Sequence, residues 1–295
     1  MRFIVSTSTL LKQLQAVNGA SSSSTVLPIL ENFLFEIKEG NLTISATDLQ
    51  TSMTTSLPVE SKEEGKIAVP SKILLETLKT LPDQPIAFTI DDNTFAIEIS
   101  AGDGKYKLSG ENGEDFPKIP TVENASSVNI PASILAEAIN KTIFAVSNDE
   151  LRPAMTGVYL QLTPEHITFV ATDAHKLVRY RRKDTRAESA SSFILPKKAV
   201  TLLNSTLPSE DVNVSVEYNN TSAFFRFGNI NLICRLIDER YPDYEAVIPQ
   251  NNPNQLTIDR ALFLNSLRRV VIFANKTTHQ VRLKISGSEL NISSE

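Results

Sequence analysis

The chain has 295 residues, 41% of them hydrophobic, one cysteine and a formal net charge of −5. That length exceeds one ordinary domain and leaves room for two or three cores. The negative balance argues against a protein that coats nucleic acid with its whole surface. The lone Cys234 excludes an internal disulfide, and no apolar run approaches the roughly 18–20 residues of a membrane helix.

In chain order, the start MRFIVSTSTLLKQ lacks a signal-peptide core, so a cytoplasmic protein is expected. Leu10, Leu14 and Val17 have the three-to-four-residue spacing of an amphipathic helix over 9–17. FLFEIKEGNLTIS then reads as two alternating strands around Gly40-Asn41, closing on ISATDL at 44–49. VPSKILLETLKTLP predicts a second helix over 71–81 between Pro70 and Pro82, and FAIEISAGDGKYKLS predicts a hairpin turning at 102–104.

After DFPKIP the same order begins again. A helix over 131–144 carries Leu135, Ile139 and Ile143, FVATDA at 169–174 repeats ISATDL, and LPKKAVTLLNSTLP repeats the proline-bracketed helix over 197–207. FFRFGNINLICR is the hairpin, turning at Gly228-Asn229, and RYPDYEAVIP is the exit. The three landmarks recur at separations of 125, 126 and 125 residues, which marks a duplicated unit. A third helix over 259–273, with Phe263, Leu267 and Val271, leads into VRLKISGSELNISSE, whose last strand aligns with 42–47. Two strand groups and a helix of that copy are missing, so the sequence reads as a shortened form of a three-unit protein. The expected fold is α+β, each unit laying two helices on antiparallel sheet, with units at 1–125, 126–250 and, in part, 251–295.

Catalytic chemistry has little to stand on. There is no Gly-rich phosphate loop, GxSxG elbow, HExxH or paired cysteine ligand set, so no catalytic residue, metal or cofactor is expected. Asp173 and His175 lie two apart and would share one strand face, which allows an acid/base pair and a hydrolase as a rival reading. Asp48 repeats Asp173 with no histidine beside it, which favours a turn-capping aspartate.

Charge is more informative. The five predicted helices carry +1, +1, 0, +2 and +2, so the remainder carries −11 of the net −5. Helices sharing one face would present Lys12, Lys72, Lys79, Lys141, Lys197, Lys198, Arg268 and Arg269 to a polyanion. No aromatic-rich strand offers a base-stacking platform, so the polyanion expected is double-stranded DNA, read without sequence preference. A plain peptide-binding scaffold with solvated basic helices is the other alternative.

The repeated units, the start MRF with its leucine pattern, LPIL.N at 27–32, ATDLQ, ATDAHKL, the VPS and LPKK helix starts and RYPDYEAVIP together resemble the bacterial DNA sliding clamp family, the β subunit of the replicative polymerase III. The resemblance runs the length of the chain. It implies a non-enzymatic processivity factor: a head-to-tail homodimer closing a ring, with helices inside and sheets outside, around duplex DNA. It also implies partners that bind through short linear peptides, namely the replicative polymerase, the clamp loader and repair proteins.

Carried over by motif, the peptide pocket would include Met155, Thr172, Ala174, His175, Lys176, Leu177, Pro242 and Val247. Ala174 stands where glycine is usual, and Ala246 where a basic residue is often found. The loop at 21–25 and the stretch 149–154 occupy family positions that approach DNA. There Ser24, Asp149 and Pro153 replace the family's basic, amide or aromatic side chains, leaving Arg152, Lys197 and Lys198 as better candidates. At the subunit interface, Tyr106 and Leu108 would pack on Ile272 and Phe273 of the partner's third unit.

Overall fold

The computed structural model describes residues 1–21, 27–121, 125–210 and 212–294. Most of the 21–25 loop, including Ser24, and the start of the expected boundary at 122–124 lie outside them.

The apolar helix stripe has its physical effect at once. Strand β1 (Arg2–Ser6) feeds α1 (Thr7–Val17), where Leu10, Leu14 and Val17 lose all exposure against the sheet. The first copy continues through β2 (Asn32–Lys38), β3 (Asn41–Thr47), β4 (Thr51–Pro58), β5 (Glu60–Ser61), β6 (Gly65–Pro70), α2 (Ser71–Thr80), β7 (Pro85–Ile90), β8 (Ala96–Ala101), β9 (Gly104–Ser109) and β10 (Glu111–Asn112).

The second copy comprises β11 (Ser126–Pro131), α3 (Ala132–Thr142), β12 (Gly157–Leu162), β13 (Ile167–Thr172), β14 (Leu177–Arg182), β15 (Ser191–Pro196), α4 (Lys197–Thr206), β16 (Asn213–Tyr218), β17 (Ser222–Phe227) and β18 (Ile230–Arg235). Pro70, Pro131 and Pro196 each occupy the cap position, where the missing N–H costs no helical bond. The first hairpin turns at Glu39-Gly40, one residue earlier than expected. Both residues adopt positive φ, 50° and 73°, which matches the twist of the flanking strands.

Sheet order reveals how the copies combine. A five-stranded sheet runs β5-β1-β7-β8-β9, and a four-stranded sheet runs β14-β13-β12-β15. Between them in topology, one nine-stranded sheet runs β10-β6-β2-β3-β4-β18-β17-β16-β11 and contains strands of both copies. The join is the antiparallel ladder of β4 with β18, in which Met53 faces Leu232 and Thr51 faces Cys234. One continuous core runs under both copies, and in the first it is anchored by Phe3 and Phe88, stacked with centroids 4.6 Å apart, with Phe35 beside them.

The chain divides into two compact bodies, Met1–Pro242 and Asp243–Glu295. The second holds α5 (Arg260–Val270) and the hairpin of β19 (Arg282–Ser286) and β20 (Glu289–Ser293). Asp259 caps α5 by accepting the Leu262 N–H at 2.8 Å. No residue of α5 is buried, and Ile272 and Phe273 beyond it are 75% and 78% exposed.

Candidate nucleic-acid and partner surfaces

The repeated Ala-Thr-Asp motif builds the same turn twice. After β13, Thr172 Oγ1 accepts the Ala174 N–H and donates to Lys176 O, while Asp173 Oδ1 accepts the N–H groups of His175 and Lys176 at 3.0 and 2.9 Å. After β3, Thr47 Oγ1 accepts the Leu49 N–H, and Asp48 Oδ1 accepts those of Gln50 and Thr51. The third residue is left-handed in both turns, with φ of 73° at Ala174 and 74° at Leu49. This is the turn-capping role expected of the aspartate, and it is what brings Thr172, Ala174, His175, Lys176 and Leu177 together at the head of β14.

The second carboxylate oxygen takes a lysine in each turn. Asp173 binds the ammonium of Lys176, which together with the turn N–H groups holds its carboxyl well below the usual range. Asp48 instead receives Lys198 Nζ of α4 at 2.6 Å, a bridge from the second copy to the first. His175 joins Asp173 only through its backbone N–H, so the carboxylate is committed to the turn rather than to imidazole chemistry.

His175 and Lys176 also line an open groove of about 640 Å³ with Asp173, Asn148, Asp149, Arg152, Lys197 and Phe144. Residues assigned by sequence to two surfaces, Arg152 and Lys197 to DNA and His175 and Lys176 to peptide, therefore edge the same depression. Its cations are held rather than loose: Arg152 Nε donates to Asp149 Oδ2 at 2.8 Å, and Lys197 Nζ to Asn148 Oδ1 at 2.8 Å. The Arg152 guanidinium, aided by the Leu151 N–H, lowers the carboxyl of Asp149. Phe144, 61% exposed, was missed because it sits in an apolar run that reads as core.

Met155 is half-buried and returns its carbonyl to the Ser147 N–H; like Thr172, Ala174, Leu177 and Pro242, it does not line this groove. Pro242 is half-buried next to Tyr241, whose ring stacks on Tyr159 at 4.5 Å. Val247, in the second body, is 67% exposed.

On the helices, Lys12, Lys72 and Lys79 are exposed and have no ion pair among the described residues. Lys141 pairs with Glu137 at 3.6 Å and lies over the ring of Tyr180, 5.9 Å from its centroid. Arg268 and Arg269 are exposed in the last turn of α5.

The join between copies shows what a completed strand edge looks like. Leu232 and Cys234 of β18 are 0% and 1% exposed under β4, and burial pushes the Cys234 thiol up to about 12. Gly19 packs close to the tip of Leu202 of α4, whose Cδ2 would lie 2.3 Å from a Cβ added there, so a larger residue would oblige the leucine to turn aside. On β9, the first copy's counterpart of β18, Tyr106 and Leu108 remain half-buried at an open sheet edge whose Lys105 and Lys107 turn outward to Glu98.

Comparison with known proteins agrees with this architecture. Residues 1–120 match the N-terminal domain and residues 129–243 the central domain of the DNA polymerase III beta subunit. The beta sliding clamps of Synechococcus elongatus and Staphylococcus epidermidis are each 28% identical, over 97% and 98% of this chain and 77% and 79% of their own lengths. The crystal structure of the sliding clamp from Bacillus subtilis superposes with a TM-score of 0.94 at 26% identity, covering 99% of this chain and 80% of that one. With two family domains matched in order, the chain belongs to the bacterial DNA polymerase III β subunit family, the β sliding clamps, and is a non-catalytic processivity factor of that polymerase.

Proposed function

We propose that the protein works as a head-to-tail dimeric ring around duplex DNA. Each chain would contribute units at 1–125, 126–250 and 251–295, the last in part. The observation that carries this reading is the β4–β18 ladder. It is a finished junction between two copies of one unit, and β9 presents the matching strand edge unfinished, with Tyr106 and Leu108 where Leu232 and Cys234 are buried. A second molecule's third unit, bringing Ile272 and Phe273, is the occupant the repeat calls for. Repeating one junction by rotation closes a ring rather than a filament when the rotation divides a full turn.

In this reading Lys12, Lys72, Lys79, Lys141, Arg152, Lys197, Lys198, Arg268 and Arg269 face the phosphates. Evenly spread contacts to a uniform backbone give no deep minimum along the axis, so the ring slides while its topology prevents escape. Partner proteins would dock short peptides at Met155, Thr172, Ala174, His175, Lys176, Leu177, Pro242 and Val247. There the turn that Thr172 and Asp173 cap supplies a rigid rim, the exposed His175 supplies hydrogen bonds, and apolar neighbours seat hydrophobic anchors.

Retention on nicked circular duplex, after loading by the ATP-driven loader, tests the ring. The clamp should persist through a salt wash on the circle and run off once the circle is linearised. Equal loss from both forms would refute encirclement and favour a plain scaffold.

A further inference from the structure

The ring reading leaves open how a strand edge distinguishes its own chain from a second copy, and the inference here rests on that reading. In the finished junction the tip of the β17–β18 turn reaches into the first copy. Asn229 Nδ2 lies 2.9 Å from Gln13 Oε1 on α1, 3.0 Å from Thr55 Oγ1 and 3.0 Å from Ser56 O on β4. Thr55 Oγ1 also donates to Gln13 Oε1 at 2.6 Å. Every member of this lock is neutral.

The repeat names the counterparts. The β8–β9 turn has the same backbone, with Gly102 at φ 56° against Gly228 at 55°, so Asp103 stands where Asn229 stands. Helix α5 repeats α1, Phe263 and Leu267 taking the places of Leu10 and Leu14, so Ser266 replaces Gln13 and Arg269 replaces Ala16. Positions three apart share a helix face, and Arg269 Nη2 donates to Ser266 Oγ at 3.1 Å, which fixes the guanidinium at the position that receives a hairpin tip. Asp103 is exposed and has no side-chain partner among the described residues.

We infer that Asp103 of one molecule docks on Ser266 and Arg269 of a second. This anion–cation pair sets the register of the junction between copies, where a neutral amide sets it within the chain. The exchange also penalises wrong pairing. Asp103 against α1 would bring a carboxylate to the acceptor Gln13 Oε1, and Asn229 against α5 would leave Arg269 without a counter-charge. Arg269 thereby leaves the DNA-facing set and Arg268, matching the exposed Gln15 of α1, remains in it.

Sedimentation velocity on the whole 295-residue chain tests this over a concentration series, at about 0.05 M and about 0.5 M salt. Asp103→Lys and Arg269→Glu should each weaken self-association about tenfold at the lower salt, and the double exchange should return it to within about threefold of the parent. The differences should shrink at the higher salt. Unfolding midpoints measured at a concentration where the parent is monomeric should match the parent, since both side chains are exposed; a midpoint lowered there would assign the effect to folding and overturn the pairing. A parent chain that stays monomeric overturns the ring reading and the pairing together. A parent that associates while both single variants associate equally well, or a double exchange that fails to recover, overturns the pairing alone. Loss of duplex binding in Arg269→Glu with association unchanged would return Arg269 to the DNA-facing set and also refute it.

Discussion

Replacing Ala174 with glycine should stabilise the protein. The turn after β13 needs a left-handed third residue, because only then do Thr172 Oγ1 and Asp173 Oδ1 collect the N–H groups of Ala174, His175 and Lys176. At φ 73° the Ala174 Cβ crowds the backbone, which costs an L-residue about 1–2 kcal/mol. Glycine removes that strain but adds unfolded-chain freedom of about 0.4–1 kcal/mol. Because Ala174 is exposed, almost no burial is lost. The net gain is about 0.5–1 kcal/mol, or roughly 1–4 °C in the midpoint of a body this size. Differential scanning calorimetry reads it directly. Ala174→Val is the control of opposite sign, since a branched Cβ tolerates this region worst. A glycine variant that melts below the parent, or a valine variant that melts with it, would show that the turn relaxes elsewhere and refute the strain argument.

Asn229→Ala should cost about 1 kcal/mol in urea unfolding, because it removes the amide's bonds to Gln13 Oε1, Thr55 Oγ1 and Ser56 O across the join while Thr55 still donates to Gln13; a change within error would mean that water replaces the amide. Cys234, its thiol raised to about 12 by burial, should resist iodoacetamide at pH 8 until the β4–β18 ladder opens, so alkylation should follow the unfolding curve; rapid labelling of the folded protein would contradict the ladder's closure. Asp48→Asn keeps the Oδ1 acceptor of its turn but releases Lys198. Fluorescence anisotropy on a duplex should then give tighter binding and a salt slope steeper by about one unit per chain, whereas an unchanged slope would place Lys198 off the DNA-facing surface.

Local features were legible because local chemistry decides them. The helix stripes, proline caps and Gly/Asn hairpins foretold α1 to α5 and the turns to within about two or three residues, and the recurring Ala-Thr-Asp segments exposed the duplication. The join was not legible. β4 and β18 are ordinary alternating strands, and nothing in either names the other; their pairing depends on both units having folded. The Asp48–Lys198 bridge spans 150 residues, so charge counting credited Lys198 as a free cation. Arg152 was named through the resemblance of the 149–154 stretch, and Asp149, three residues before it, was the local sign that it would be paired. Phe144 escaped notice because hydrophobicity alone does not distinguish a residue facing the core from one rimming a groove.

The paired cations bear on how a clamp can hold DNA without arresting on it. A fully free arginine or lysine forms a strong contact with each phosphate it meets and raises the barrier to the next step along the duplex. Here Lys198 is held by Asp48, Lys141 by Glu137, Arg152 by Asp149 and Lys197 by Asn148. In the proposed ring a phosphate would have to compete with each of these partners, so the gain per contact would be the difference between two similar bonds. Lys12, Lys72 and Lys79, exposed and without an ion pair among the described residues, would supply the attraction in that ring. In the proposed ring, attraction and mobility would then reside in different residues: the unpaired lysines would draw the duplex in, and the tethered cations would smooth its passage. The same division would leave the junctions of that ring to their own chemistry, because a surface suited to weak contact with DNA does not also hold an assembly together.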